Sequence, residues 1–239
     1  MYAVRTKHSF KRGQEFFENL LDPIDWLSEA IFSILILLIY LIAFGFIMRS
    51  DTPQQSISHE NVNDMLVGVL SAVIAWGLID GIMYALLSMF ARGENYRLYR
   101  DVQAARTEED AVDIIAEDLD YILEPITGEN ERKALYHSIN DHLRNSKPRN
   151  IGFKFEDFTA VLGHVMVAVV AVIPSLIPFL VLRHDYDLAI RISFLVSFIV
   201  LFVAGYRWGM YTGASPWKTG LLLMSVAAGL VLIAILLGG

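Results

Sequence analysis

The chain has 239 residues, 55% of them hydrophobic, and a formal net charge of −7. That acidity excludes the basic face a nucleic-acid binder normally carries. The absence of cysteine excludes disulfides, thiolate metal ligands and cysteine nucleophiles, and leaves the redox compartment open.

Charge is unevenly spread. Residues 92–157 and the first 28 residues hold most of it, while stretches near membrane-span length are almost free of it. Such blocks belong to a polytopic membrane protein rather than a soluble domain. In residues 1–25, Phe10, Phe16, Phe17, Leu20, Leu21 and Ile24 interleave with Lys11, Arg12, Glu15 and Glu18. This mixture predicts an amphipathic segment lying in the membrane interface. The apolar run that follows is too long for a signal-peptide core and is read as a retained span.

A spanning helix needs roughly 20 mostly apolar residues. Five stretches qualify: 26–48, 63–91, 158–182, 188–208 and 217 to the C-terminus. The expected fold is therefore an all-α integral membrane protein with five transmembrane helices. Residues 26–91 carry spans one and two, 92–157 form a soluble acidic helical insert, and 158–239 carry spans three to five. Sixteen lysines and arginines lie in the N-terminal arm, the insert and the loop with Arg207 and Lys218, against three on the other side, Arg49, Arg183 and Arg191. The positive-inside rule then puts the N-terminus and insert in the cytoplasm and the C-terminus outside, by default across a bacterial plasma membrane. A re-entrant fourth span is the alternative, and it would upset this alternation.

Within span two, Asp80 is the most informative residue. It lies about 18 Å from Arg92 and about 24 Å from Asp64 along a helix, near the bilayer centre. An acid there costs at least ~2.5–3.5 kcal/mol on insertion scales and normally faces a cavity or a partner. His164 lies about 10 Å into span three from Asp157, and Glu29 begins span one at the same face. Met83 shares Asp80's side of its helix. Glu29, Asp80, Met83 and His164 are the expected lining of a path from the cytoplasm. The alternatives are a helix-to-helix hydrogen bond for Asp80, a satisfied packing histidine, and ordinary packing for Met83 and Met89. Gly77, Gly81, Gly205, Gly209 and Gly213 are expected at close helix contacts. Pro174 and Pro178 free backbone carbonyls in span three.

The insert reads as a continuation of span two to Ala105, a helix opening on Thr107 as N-cap, and a second helix over 129–144. Val112, Ile115, Leu119, Ile122 and Leu123 make an apolar stripe. Asp110, Asp113, Glu117, Asp120 and Glu124 fall on the opposite face, within roughly 80° of one another. No lysine relieves their repulsion between Thr107 and Glu124. With His137 and Asp141 on the next helix, this face is a candidate capture surface for divalent cations such as Fe²⁺, Mn²⁺ or Zn²⁺, the alternative being a plain solvated face. No phosphate-cradling loop, HExxH pair or GxSxG elbow is present, so the chain is not read as an enzyme and no obligatory cofactor is expected.

Three stretches resemble the vacuolar iron transporter family. Ile173-Pro174-Ser175-Leu176-Ile177-Pro178-Phe179 is similar to its proline-pair segment. Ser215-Pro216-Trp217-Lys218-Thr219-Gly220-Leu221 is similar to its Ser-Pro-x-x-x-Gly-Leu start of the last span. Leu87-Ser88-Met89 followed by Gly93-Glu94 resembles its Ser-Met-x-x-Gly-Glu motif with one extra residue. The resemblance implies a homodimer that moves Fe²⁺ and Mn²⁺ out of the cytoplasm in exchange for protons, with Met89 and Glu94 matching its motif. One departure stands out. The family's first-span Asn-Asp-Gly is missing, and the corresponding stretch reads Ser28-Glu29-Ala30-Ile31-Phe32. Either Ile79-Asp80-Gly81 supplies the acid from another helix, or transport has been lost and the chain is a membrane subunit whose insert binds a protein partner.

Overall fold

The computed structural model describes residues 22–51, 59–147 and 152–236, so most of the expected interfacial segment 1–25 lies outside the described residues. Seven helices are found among them and no strand: α1 (Pro23–Asp51), α2 (His59–Ala104), α3 (Glu108–Leu123), α4 (Glu129–Asn145), α5 (Phe155–Val181), α6 (Tyr186–Thr212) and α7 (Pro216–Leu236). Helices α1, α2, α5, α6 and α7 are each long and apolar enough to cross a membrane. The chain is thus an all-helical membrane protein. α6 is one continuous helix, with no re-entrant break. The chain divides into two compact units, Met1–Tyr84 with Phe158–Gly239, and Ala85–Asp157, the first boundary falling earlier in α2 than the charge pattern puts it.

In the first unit α1 is the most enclosed span, with 61% of its most apolar window buried against 11% for α7. Leu27, Ile34, Leu37, Leu38 and Leu41 of α1 are fully buried beside Val69 and Val73 of α2 and Val172 and Phe179 of α5. A helix apolar on every side has no preferred wet face, so enclosure by other spans is its stable place. α6 packs most extensively on α7. A Cβ at Gly205 would lie 2.9 Å from the Gly220 Cα, and one at Gly209 2.7 Å from the Pro216 Cα. Lipid offers apolar side chains no reason to leave it, so such close backbone contact is what holds spans together. Gly213 departs from expectation: a Cβ placed there would meet nothing within 4 Å, and the residue instead ends α6 with φ of 71°, the left-handed C-terminal conformation.

The helix α5 runs through Pro174 and Pro178. Beside them Ser175, Ser193 and Ser197 are fully buried between α5 and α6. The Ser193 hydroxyl donates to the Ser175 carbonyl at 2.6 Å, and Ser197 Oγ lies 2.9 Å from Ser175 Oγ and 2.8 Å from the Ser193 carbonyl. Every hydroxyl has a partner, as burial requires. The starts of α2 and α6 are joined where Tyr186 hydrogen-bonds His59 Nδ1 with the rings edge to face.

The second unit builds its own core. Thr107 caps α3 by accepting the Asp110 N–H at 3.0 Å, with Glu108, Glu109 and Asp110 in the first turn at the positive end of the helix. Val102, Ala111, Ile115 and Tyr136 form the buried centre, ringed by Leu98, Val112, Leu119, Leu123, Ile139 and Leu143. Ile122 was expected in that stripe but is 48% exposed, because Leu119 and Leu123 already fill the face toward α4. Tyr99 donates to the Ser146 carbonyl at 2.7 Å, fixing the end of α4. The Arg92 guanidinium grips Asp157 through two bonds of 3.1 and 2.7 Å, and Asp157 also accepts the Lys154 N–H at 2.8 Å. This clasp joins the two ends of the unit.

Candidate metal centre

Three residues far apart in sequence meet inside the first unit. Glu29 lies two turns into α1, Asp80 midway along α2 and His164 in the third turn of α5. Glu29 is fully buried and His164 is 2% exposed, while the Asp80 side chain keeps 36% of its surface. His164 Nδ1 lies 3.3 Å from Glu29 Oε2 and 3.3 Å from Asp80 Oδ2. One potential donor atom from each residue lies within 4.8 Å of the other two.

The elements explain the convergence. Gly77 and Gly81 let α2 approach the α5 backbone at Val165 and Val161, which sets Asp80 against His164. Ser33, one turn after Glu29, donates to Glu29 Oε1 at 3.3 Å and turns the other oxygen toward His164. The Tyr84 ring lies 5.3 Å from the imidazole, tilted by 48°. His164 Nε2 is buried and has no hydrogen-bond partner among the described residues.

Charge-assisted hydrogen bonds from nitrogen to a carboxylate settle near 2.7–2.9 Å, and uncharged donors reach about 3.2 Å. Atoms about 2.1 Å from a common ion stand about 3–4 Å from each other. Contacts of 3.3 Å are compatible both with a hydrogen bond from the imidazole to Glu29 and with ligands arranged around one ion. Two carboxylates this close repel each other, and either a cation beside them or a proton held by one of them relieves the repulsion. Two carboxylate oxygens with one imidazole nitrogen suit first-row divalent metals.

The other sequence candidates fall elsewhere. Met83 follows Asp80 by one turn and is 48% exposed. Met89 is half-buried beside Leu86, Leu87 and Phe90 around an apolar surface hollow. Glu94 is exposed and belongs to the second unit with the insert acids. Among those acids, Asp120 is taken: it accepts the Tyr136 hydroxyl at 2.7 Å and pairs with Arg132 at 2.8 Å. Burial, and then this bond, push the Tyr136 phenol above its usual range. His137 pairs with Glu108 at 2.8 Å rather than with the stripe. Asp110, Asp113, Glu117, Glu124 and Asp141 are exposed, and no described residue bonds to the carboxylates of Asp113, Glu117 or Glu124. Ser33 was not among the sequence candidates, although its place four residues after Glu29 is the signal that would have found it.

These features define a helical membrane protein with a buried carboxylate–histidine centre. No family model matches the chain, and comparison with curated proteins and with solved structures finds no match either.

Proposed function

We propose that the chain is a divalent-metal transporter whose substrate ion, Fe²⁺ or Mn²⁺, is held in transit by Glu29, Asp80 and His164. The single observation that carries this reading is the meeting of the three ligands within 4.8 Å on three different membrane spans. Intramembrane ionisable residues are costly and are kept for ion pathways and relays. The exposed carboxylates of Asp113, Glu117 and Glu124 collect the ion on the insert, which in this reading is cytoplasmic, and export runs outward in exchange for protons. Homodimerisation, a bacterial plasma membrane and kinship with vacuolar iron transporters belong to the same proposal. The kinship stands on the short motifs alone.

The test is flux. Proteoliposomes containing the protein should take up Fe²⁺ or Mn²⁺, and Asp80→Asn should reduce the rate by at least about tenfold, the scale on which loss of one ligating or supporting group weakens a metal site. Equal flux through wild type and Asp80→Asn would reject the pathway. A second reading, a transport-inactive subunit, is favoured by one observation: Tyr121 and Ile126 are 77% and 73% exposed on the insert, as a protein-docking surface would be. Purified protein that binds no metal but retains a partner lost on Tyr121→Ser would support it.

A further inference from the structure

Asp80 reaches His164 only because two helices approach unusually closely at the residue beside it. A Cβ placed on Gly81 would lie 2.8 Å from the Val161 Cα, 3.1 Å from the Val161 carbonyl oxygen and 3.3 Å from the His164 Cβ. One turn earlier, a Cβ on Gly77 would lie 2.9 Å from the Val165 Cα and 3.2 Å from the Ala168 Cβ. The nearest atoms are backbone, which cannot rotate aside as a long side chain does. An added methyl must therefore move α2 and α5 apart.

The geometry points to Gly81, supported by Gly77, as the specificity-determining element of the metal centre: it sets the bite between Asp80 on α2 and His164 on α5, and so the size of ion the centre accepts. The inference rests on the metal reading of that centre and adds to it which ion sizes are held. Its logic is mechanical. Glu29 and His164 are both nearly fully buried and fixed by their surroundings, whereas Asp80 is partly exposed, so the adjustable dimension lies between α2 and α5. Ligand positions must be held to about 0.5 Å for a site to work. Opening the 2.8 Å contact at Gly81 to an ordinary one of 3.4 Å takes a shift of about 0.6 Å, beyond that tolerance. A small ion then loses a ligand, while a larger ion keeps all three.

The experiment is a double-mutant cycle on the full-length protein in detergent, read as Zn²⁺ and Mn²⁺ affinity. Zn²⁺ is the smaller probe. Gly81→Ala is expected to weaken Zn²⁺ binding by about tenfold or more and Mn²⁺ binding less. Asp80→Glu, one methylene longer, is expected to weaken Zn²⁺ binding in the wild-type background and to strengthen it in the Gly81→Ala background. A purely structural glycine would not reverse the sign of a neighbouring substitution. Gly229→Ala, where the methyl would meet nothing within 4 Å, serves as the silent control. If Gly81→Ala does not fold, Gly77→Ala takes its place in the cycle. Additive losses with an unchanged Zn²⁺ to Mn²⁺ ratio would overturn the inference while leaving the metal reading intact. Failure of the wild-type protein to bind either ion would overturn both.

Discussion

His164 Nδ1 stands 3.3 Å from both Glu29 Oε2 and Asp80 Oδ2, and the three side chains come from three helices separated by long stretches of sequence. The two carboxylates differ in one respect that matters for experiment. Glu29 is fully enclosed, whereas Asp80 retains contact with its surroundings.

That difference separates binding from folding. Asp80→Asn removes a ligand at a partly exposed position and is expected to abolish high-affinity metal binding with little loss of folded protein. His164→Leu strips the fully buried Glu29 of its imidazole partner, leaving only Ser33, and is expected to destabilise the fold, since a buried polar group left short of partners costs about 1–3 kcal/mol. Size-exclusion profiles and thermal melts in detergent, run without metal, check the contrast. Comparable folding losses in the two variants would contradict it.

Acids on the insert divide in a similar way. Asp120 is engaged by Tyr136 and Arg132, whereas Asp113, Glu117 and Glu124 are exposed. Asp120→Asn should loosen the α3–α4 pair and leave metal capture unchanged. The triple variant of Asp113, Glu117 and Glu124 to the amides should lower the rate of Mn²⁺ uptake and leave the insert stable. Amide hydrogen exchange over α3 and α4, set beside initial uptake rates, distinguishes the two.

Tyr136 gives the insert an alkaline limit. Its phenol is held above the usual range, so the folded state favours the protonated form. The associated stability is complete below the unfolded value of about 10 and is lost as pH rises through the higher folded value. Hydrogen exchange in α4 should therefore accelerate above about pH 10 in wild type. The Tyr136→Phe variant, already weaker for want of the Asp120 bond, should show a flatter dependence there.

Core and clasp make separate contributions to the second unit. Ile115 is fully buried, and Ile115→Ala is expected to cost about 2–5 kcal/mol. Arg92 keeps 22% of its side chain exposed, so Asp157→Asn should cost less than the roughly 3–5 kcal/mol of a fully enclosed pair. Its effect should be concentrated at 152–157 and around Arg92, measured as faster amide exchange there than at Ile115.

The spans and caps are legible in the sequence because local physics sets them. Lipid demands long apolar runs, and Thr107 followed by three acids marks a helix start wherever it occurs. Counting residues along the helices sets Asp80 about 18 Å in from Arg92, His164 about 10 Å in from Asp157 and Glu29 at the face. That groups the three as the lining of one path without bringing them to one level. What the sequence could not supply is rotation and neighbour. Asp120 reads as one more acid on a stripe until Arg132 arrives from the next helix. Ile122 reads as core until Leu119 and Leu123 occupy that face, and Gly213 reads as a packing residue until its backbone turns left-handed. Ser33 escaped for a different reason, since a serine in an apolar run is commonplace without its acid partner in view.

Electron spin-echo spectroscopy of Mn²⁺ bound to the purified protein tests the central claim most directly, because it reports whether an imidazole nitrogen touches the ion. The account predicts nitrogen modulation in wild type that disappears in His164→Gln and is unaffected by His137→Gln. Bound Mn²⁺ with oxygen ligands alone, or a nitrogen signal that survives loss of His164, would contradict it.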